Sequence, residues 1–277
     1  MSYTLNFNNG KKITNILKDD KTIGSIYLYD EKYKCDENCN KKCCDYHLIK
    51  KNMSITEHVM ANDKTNFIPS FNNLKNQISI FYITGQQGCG KSVLASHLIR
   101  NFRNENKKGG VICISECKVD DTIDKYLHKK ITPQEVKDDN LNFEDFQEIA
   151  KERGSLLMLF DDIDSISDNK PDKLKSCVYQ LLNSLINNSR KYNINIIYTT
   201  HRPCEGNYSK AILNSCSNWI YFTNNITNNV KLCMKNYMNL SKENEAILLN
   251  LKNTRWVSIN RTLPMTITSE KECFIMN

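Results

Sequence analysis

The chain has 277 residues, of which 40% are hydrophobic and 25% charged, which suits one α/β domain with elaborations and is ordinary for a globular protein. No run approaches the ~18–20 consecutive apolar residues of a membrane span. The opening residues, MSYTLNFNNGKK, lack the apolar core of a secretion signal, so we expect a protein that works inside a cell. The formal charge of +7 permits a polyanionic partner without requiring one.

Residues 1–60 are predicted to form a small extension. Its segments 3–7 and 23–29 alternate apolar and polar residues, which predicts edge strands or a hairpin. Four thiols and an imidazole follow, a donor set that can hold zinc: Cys35, Cys39, Cys43, Cys44 and His47. Most of them recur every four residues, as a stripe on a helix, and paired C-x-x-C spacing is absent. This favours a structural or incidental role, with zinc as the alternative. Residues 62–76 are predicted to be a connector.

A glycine-rich segment after an apolar run is the strongest chemical signal in the chain. The run at residues 80–83 predicts a strand, and the amphipathic residues 93–102 predict a helix. Between them lies a GxxxxGK[ST] pattern, whose backbone N–H groups and helix N-terminus bind phosphates. The predicted nucleotide-binding residues are Gly85, Gln86, Gln87, Gly88, Cys89, Gly90, Lys91, Ser92 and Val93.

Three residues of this loop have predicted chemical properties. Lys91 is expected to reach the β- and γ-phosphates, and Ser92 to ligate Mg²⁺ through its hydroxyl. Cys89 lies where a helix N-terminus lowers the pKa of a thiol, so we expect a reactive cysteine there that bound ATP protects.

Two carboxylates follow the continuous apolar run Leu156–Phe160, which predicts a strand buried on both faces. Ligands bind at the carboxyl ends of such strands. Asp161 is the predicted Mg²⁺ partner, and Asp162 is predicted to polarise the attacking water. Residues 169–172 spell the guanine-reading NKxD motif, but they are not preceded by a buried strand of their own, so we predict a helix start there and ATP as the nucleotide.

Further strands and helices complete a RecA-like α/β fold. The pattern predicts a strand at 111–115, a helical region within 118–152 after Thr132-Pro133, a helix at 171–190 and a strand at 193–200. Thr200 or His201 is expected to sense the γ-phosphate, and Arg190 either stays on its own surface or reaches a neighbour's nucleotide. The rest of the chain is predicted to form a strand at 219–222, helices at 226–237 and 242–251, and a terminal hairpin of 256–259 with 265–268. The predicted ATPase domain is 61–277.

From about Phe81 onward, the chain resembles the DNA-packaging ATPases of large cytoplasmic DNA viruses, including poxviruses, and of virophages, in the FtsK–HerA superfamily of P-loop motors. The resemblance rests on five segments in order: GQQGCGKS, LLMLFDDID, SRKYNINIIYTTHRPCEG, SKENEAI and LKNTRWVSINRTLP. It implies an additional-strand RecA-like fold with a mostly parallel sheet, an N-terminal extension and a C-terminal hairpin.

The resemblance also implies site roles. Lys91 and Ser92 match the loop lysine and the Mg²⁺ ligand, Asp161 the metal carboxylate, and Asp162 the catalytic carboxylate. Arg190 matches the arginine that the superfamily presents in trans, and His201 falls at its sensor glutamine.

The implied function is ATP- and Mg²⁺-dependent translocation of double-stranded DNA into a preformed capsid. The implied partners are capsid proteins and further copies of the chain in a pentameric or hexameric ring. The expected location is the viral factory of the host-cell cytoplasm or the virion. A cellular or plasmid FtsK–HerA translocase and a nucleotide-gated assembly ATPase remain alternatives. A nucleotide kinase is disfavoured, because Ser165–Leu174 lacks the arginines of a lid.

Overall fold

A computed structural model of the chain describes residues 3–8, 10–30, 47–49, 55–72, 77–167, 173–204, 206–251 and 253–276. The strands are β1 (Tyr3–Asn6), β2 (Lys11–Lys18), β3 (Lys21–Asp30), β4 (His47–Ile49), β5 (Ile55–Met60), β6 (Asn66–Pro69), β7 (Ile80–Thr84), β8 (Gly110–Ser115), β9 (Lys129–Ile131), β10 (Leu156–Asp161), β11 (Ile194–Thr200), β12 (Asn218–Phe222), β13 (Trp256–Asn260), β14 (Met265–Ser269) and β15 (Glu272–Met276). The helices are α1 (Lys91–Glu105), α2 (Pro133–Asp138), α3 (Phe143–Arg153), α4 (Leu174–Asn188), α5 (Gly206–Ser215), α6 (Asn228–Asn236) and α7 (Lys242–Leu249).

The chain divides into two compact units. One unit is the continuous segment Lys75–Cys216, and the other combines Met1–Leu74 with Ser217–Asn277. The sequence predicted a different partition, an extension of residues 1–60 before an ATPase domain of residues 61–277. That functional partition stays a prediction, whereas the compact units pair the two ends of the chain in one body.

The Lys75–Cys216 unit contains a parallel sheet with strand order β7-β11-β10-β8-β9. Four of its strands are buried along their whole length, which explains their continuous apolar sequences. Because every strand in this sheet runs in the same direction, the carboxyl ends of β7, β8, β10 and β11 meet at one edge. The predicted α/β architecture is confirmed, and the phosphate loop and the carboxylates follow strands at this edge.

The region between β8 and β10 becomes helical after Thr132-Pro133, as the sequence predicted. Before that point, residues 118–132 hold a short 3-10 turn, Asp124–Tyr126, and the edge strand β9, which the sequence did not predict. Thr132 then starts α2 with a capping box in which its side chain accepts from the N–H of Glu135. Asn142 starts α3 in the same way. The Thr132-Pro133 start signal was therefore correct, and the non-helical residues 139–142 divide the predicted helix in two.

The other unit is built from two antiparallel sheets. One has the order β1-β3-β2-β6, and the other contains β4-β5-β15-β14-β13-β12. Their shared core consists of Leu5, Ile13, Ile16, Ile26, Leu28, Val59, Phe67, Cys273 and Ile275. The predicted N-terminal strands do pair, as β1 with β3, and the predicted C-terminal hairpin is β13 with β14.

Five strands of this unit were missed in the sequence: β2, β4, β5, β6 and β15, of which β4 pairs with β5 and β5 with β15. β2 pairs with β3, β6 lies within the predicted connector 62–76, and β15 adds a third strand to the terminal hairpin. β2 was not recognised because polar residues interrupt its apolar pattern. Thr14 and Asn15 are both buried. The Thr14 hydroxyl donates to Ile68 O at 2.5 Å, and Asn15 Oδ1 accepts from the Ser25 hydroxyl at 2.9 Å. Hydrogen bonding across the sheet therefore allows burial that an apolar pattern does not reveal.

Some predictions fall outside the described residues. They are the cysteine cluster, whose cysteines and His47 side chain are not described, and the NKxD segment 169–172. Among the helices that the structure describes, none combines the length and the hydrophobicity of a transmembrane span.

Candidate functional site

The phosphate loop connects the buried strand β7 to the first turn of α1. Gly88 has φ 76° and Gly90, at the helix N-cap, has φ 107°, and both values lie in the left-handed region that glycine adopts without strain. The N–H of Gly85 donates to the carbonyl of Thr200 at 3.2 Å, which ties the loop to the end of β11. The motif glycines therefore permit the curled backbone that presents N–H groups to a phosphate.

Lys91 is the most constrained side chain of the loop, with 6% of its surface exposed. Its ammonium donates to the carbonyl of Gly85 at 3.1 Å and lies 2.9 Å from Nδ1 of His201. Asp162 Oδ1 lies 3.7 Å away. Because a buried lysine needs partners for its charge, these groups hold the ammonium over the loop, where incoming phosphate oxygens can replace them.

His201 bridges Lys91 and Asp162. Its Nε2 lies 2.9 Å from Asp162 Oδ2, and its Nδ1 faces the Lys91 ammonium. An ammonium only donates hydrogen bonds, so Nδ1 accepts and Nε2–H donates to the carboxylate, as in a neutral imidazole. The backbone N–H of His201 donates to Asp164 Oδ2 at 3.2 Å. His201 therefore orients Asp162 from the neighbouring strand.

Asp161 lies at the end of β10 with 8% of its surface exposed. The Thr199 hydroxyl donates to its Oδ1 at 2.7 Å, and the Ser115 hydroxyl to its Oδ2 at 3.3 Å. Burial raises the pKa of this carboxyl, and the charge of Asp162 raises it further, against the two hydrogen bonds. The ionised form of Asp161 is therefore disfavoured in this site, and a bound metal cation would stabilise it.

Asp162 has the left-handed backbone conformation, with φ 47°. Its N–H donates to Thr199 Oγ1 at 3.0 Å, so one hydroxyl fixes the backbone of Asp162 and the side chain of Asp161. Asp162 is 30% exposed, in contrast to its buried neighbour. This pair thus provides one buried carboxylate suited to a metal ion and one that water can reach.

The prediction for the Cys89 thiol was wrong in direction. Burial raises its pKa above the ordinary value, and this effect exceeds the lowering by the charge of Lys91 and by the loop N–H groups. The position at a helix N-terminus does not by itself determine thiol reactivity here.

The structure brings most of the predicted site residues together. The loop, Lys91, Asp162 and His201 are connected by the contacts described above, and Ser92 and Val93 lie in the first turn of α1. Thr200 turns away, because its hydroxyl bonds within its own turn to the N–H and carbonyl of Arg202.

Arg190 is not brought to this site. It is exposed in the 3-10 turn Ser189–Tyr192, before the first residue of β11, whereas His201 follows the last. The seven residues of β11 span roughly 23 Å at about 3.3 Å per residue. Arg190 therefore does not reach the nucleotide site of its own chain.

Three contributing residues were not predicted: Thr199, Ser115 and Asp164. Each is a polar residue at or just after the carboxyl end of a buried strand, which is the available sequence signal. The signal was weak, because Thr199 and Thr200 are adjacent and face opposite sides of the sheet, and only the fold shows which of them meets Asp161.

Comparisons with known proteins agree with this geometry. Residues 79–219 match the family model described as the NACHT domain. The chain is 30% identical over 207 residues to uncharacterized protein V3 of Sputnik virophage, covering 74% of this chain and 79% of that protein. Its fold is similar to that of B204, the DNA-packaging ATPase from Sulfolobus Turreted Icosahedral Virus, with a TM-score of 0.50 and 16% identity. That match covers 70% of this chain and 97% of B204.

These matches decide three predictions. The resemblance to virophage ATPases is confirmed by the virophage relative, and the α/β P-loop fold by the NACHT match and the B204 fold. The predicted enzyme class, a P-loop NTP hydrolase with an ATP-binding fold, is also confirmed.

Proposed function

This chain belongs to the NACHT family of P-loop NTPases and to the family of Sputnik virophage protein V3, and from this premise we propose that it is an ATP-hydrolysing motor that translocates double-stranded viral DNA into a preformed capsid. The observation that carries the proposal is the arrangement of Lys91, His201 and Asp162 at the phosphate loop. A nucleotide switch without turnover has no need of a water-accessible carboxylate held beside the loop lysine.

In the proposed reaction, ATP binds with its phosphates against Gly85–Val93. Lys91 exchanges its loop carbonyls for β- and γ-phosphate oxygens and stabilises the negative charge of the transition state. Asp162, held by Nε2–H of His201, accepts a proton from the attacking water. His201 contacts both groups, so it can couple the presence of the γ-phosphate to the orientation of the base.

Mg²⁺ fits the donor set of this site. The Ser92 hydroxyl and the Asp161 carboxylate are oxygen ligands of the kind that this ion prefers, and the buried Asp161 has no ion-pair partner among the described residues. The ion would neutralise charge on the β- and γ-phosphates. Thr199 and Ser115 would keep the Asp161 carboxylate oriented for it.

We assign Arg190 to a neighbouring copy's site. Its exposure and its position before β11 rule out its own nucleotide, so the catalytic role requires a second subunit. A homo-oligomeric ring, pentameric or hexameric, presents such a residue in trans at every interface. The proposed partners are double-stranded DNA and capsid proteins, in the infected host cytoplasm or the virion, in keeping with the virophage relative.

The test is steady-state ATP hydrolysis by the purified protein, with and without linear double-stranded DNA, at low and moderate salt. A DNA motor is expected to show strong stimulation that weakens as salt rises, because phosphate contacts release counterions. Lys91→Ala is the control and is expected to abolish both basal and stimulated hydrolysis. Hydrolysis that is indifferent to DNA at both salt concentrations, in a preparation shown to be oligomeric, would favour the assembly ATPase and overturn the motor.

A further inference from the structure

A second cationic cluster lies away from the nucleotide site, in the same compact unit. It is formed by Arg103 at the end of α1, His128 before β9 and Arg153 at the end of α3. All three side chains are exposed, and none of them is among the residues of the nucleotide site described above. Arg153 lies against Gly110 and His128 bonds to Val111. These two residues begin β8 and therefore lie at the sheet edge opposite the phosphate loop.

Arg153 is placed by the first residue of β8. A Cβ atom at Gly110 would lie 2.9 Å from Cδ and 3.7 Å from Nε of Arg153, so the arginine stem crosses the open face of this glycine. Any side chain at Gly110 would displace it. The stem of Arg153 therefore packs on the start of β8.

His128 is held by the next residue of the same strand. Its N–H donates to the carbonyl of Val111 at 2.8 Å, and its Nδ1 accepts from the N–H of Val111 at 3.0 Å. Since Nδ1 accepts, the neutral ring carries its proton on Nε2 and has one donor left. Arg103 is fixed nearby, because its Nη1 donates to the carbonyl of Tyr126 at 3.2 Å.

The three groups of this cluster bring positive charges close to one another. Although the His128 side chain is exposed, partial loss of solvent around its ring lowers its pKa, and the charges of Arg153 and then Arg103 lower it further. Neither arginine forms an ion pair within the described part of the chain. The nearby Asp124 is already paired with Lys130 at 2.8 Å. Like charges held together without a counter-charge destabilise a surface, and a bound anion relieves that repulsion.

We propose that Arg103, His128 and Arg153 form a subsite for backbone phosphates of double-stranded DNA. Guanidinium groups recognise phosphate in a bidentate way, and the Nε2–H of His128 supplies a further donor. Further exposed lysines lie close by in sequence, which is more positive charge than a single free anion requires: Lys107 and Lys108 after α1 and Lys129 in β9. This inference rests on the proposed function and names one place where the motor holds DNA.

The experiment measures the affinity for a fluorescent double-stranded oligonucleotide as a function of salt for the full chain and for Arg103→Gln/Arg153→Gln. Glutamine keeps part of the aliphatic stem and removes two charges. Lys231→Gln/Lys235→Gln, on the exposed face of α6, is the matched control with the same loss of charge. Each duplex phosphate contact contributes a slope of about −0.9 in log K against log salt, so the arginine variant is expected to lose about 2 from the slope.

Basal ATP hydrolysis without DNA reports folding, and it is expected to be unchanged in both variants. Arg103→Lys/Arg153→Lys, which keeps the charge, is expected to restore most of the slope. An arginine variant with the wild-type slope, or a lysine control with the same loss, would overturn the subsite while leaving the motor intact. Displacement of the oligonucleotide by equimolar inorganic phosphate would also overturn it, by identifying a free-anion site. Absence of DNA binding by the wild-type chain would instead refute the proposed function.

Discussion

Replacing Asp161 with asparagine is expected to stabilise the nucleotide-free protein while abolishing its hydrolysis. Burial and the charge of Asp162 raise the pKa of Asp161, so the folded state disfavours the ionised form. At a pH above the raised pKa, Asp161 is ionised, and this ionisation lowers the free energy of unfolding. As the pH falls and the carboxyl is protonated, the free energy of unfolding recovers. An asparagine keeps an oxygen for the Thr199 hydroxyl and offers an N–H to Ser115.

The magnitude follows from the separation of the two carboxylates. Thr199 Oγ1 lies 2.7 Å from Asp161 Oδ1 and 3.4 Å from Asp162 Oδ1, so these two oxygens are within about 6 Å of each other. At about 6 Å and an effective dielectric constant of about 20, two unit charges repel by about 3 kcal/mol. Asp162 is 30% exposed and lies 3.7 Å from Lys91 Nζ, which reduces the expected gain to about 1–2 kcal/mol. This corresponds to a rise in Tm of roughly 2–6 °C.

The assay is thermal unfolding followed by circular dichroism, with a chelator and without nucleotide, from about pH 7.5 to about pH 4.5. The gain in Tm is expected to be largest at neutral pH and to shrink as the pH falls and wild-type Asp161 becomes protonated. The control Asp121→Asn changes an exposed carboxylate and is expected to shift the stability by less than about 0.5 kcal/mol. An Asp161→Asn protein that is no more stable than wild type at neutral pH would refute this reasoning.

Three other substitutions or modifications test separate parts of the site. Thr199→Val is expected to lower kcat about 10–100-fold, because a hydrogen bond to a charged group contributes about 1.5–3 kcal/mol. The control Thr199→Ser keeps the hydroxyl and is expected to retain most of the activity. Equal kcat values for the two variants would show that the hydroxyl is dispensable. Asp162→Asn is expected to bind a fluorescent ATP analogue normally but to lose turnover, and weakened binding would instead indicate a structural role. Because burial raises the pKa of Cys89, its alkylation by iodoacetamide is expected to be slow at neutral pH and faster towards about pH 9. Bound ATP is expected to slow the reaction, since Cys89 lies in the phosphate loop. A rate that ATP leaves unchanged would place the thiol outside the nucleotide site.

Local sequence was sufficient wherever the structural cause is local. The conformation of the phosphate loop depends on Gly88 and Gly90, and the start of α2 depends on Thr132 and its neighbours. Buried parallel strands are likewise visible as apolar runs, because both of their faces are covered. These features were enough to predict the α/β fold, the phosphate loop and the positions of the core strands along the chain.

Local sequence was insufficient where buried polar residues or distant pairings are involved. β2 carries Thr14 and Asn15 into the interior, since hydrogen bonds to β6 and β3 satisfy them. The pairing of β15 with β5 joins segments far apart in the chain, and no short-range pattern predicts it. The two compact units follow from such pairings, which is why the predicted extension became part of a larger body.

The sequence by itself determined the chemical groups at the site: the loop, Lys91, Asp161, Asp162 and His201, since each follows a recognisable strand or motif. Only the tertiary structure decided how they act on one another. The adjacency of β10 and β11 puts one Thr199 hydroxyl against both carboxylates, and burial reverses the pKa shift expected for Cys89. Contacts between strands and the loss of solvent depend on which segments pack together, and a linear pattern does not contain that information.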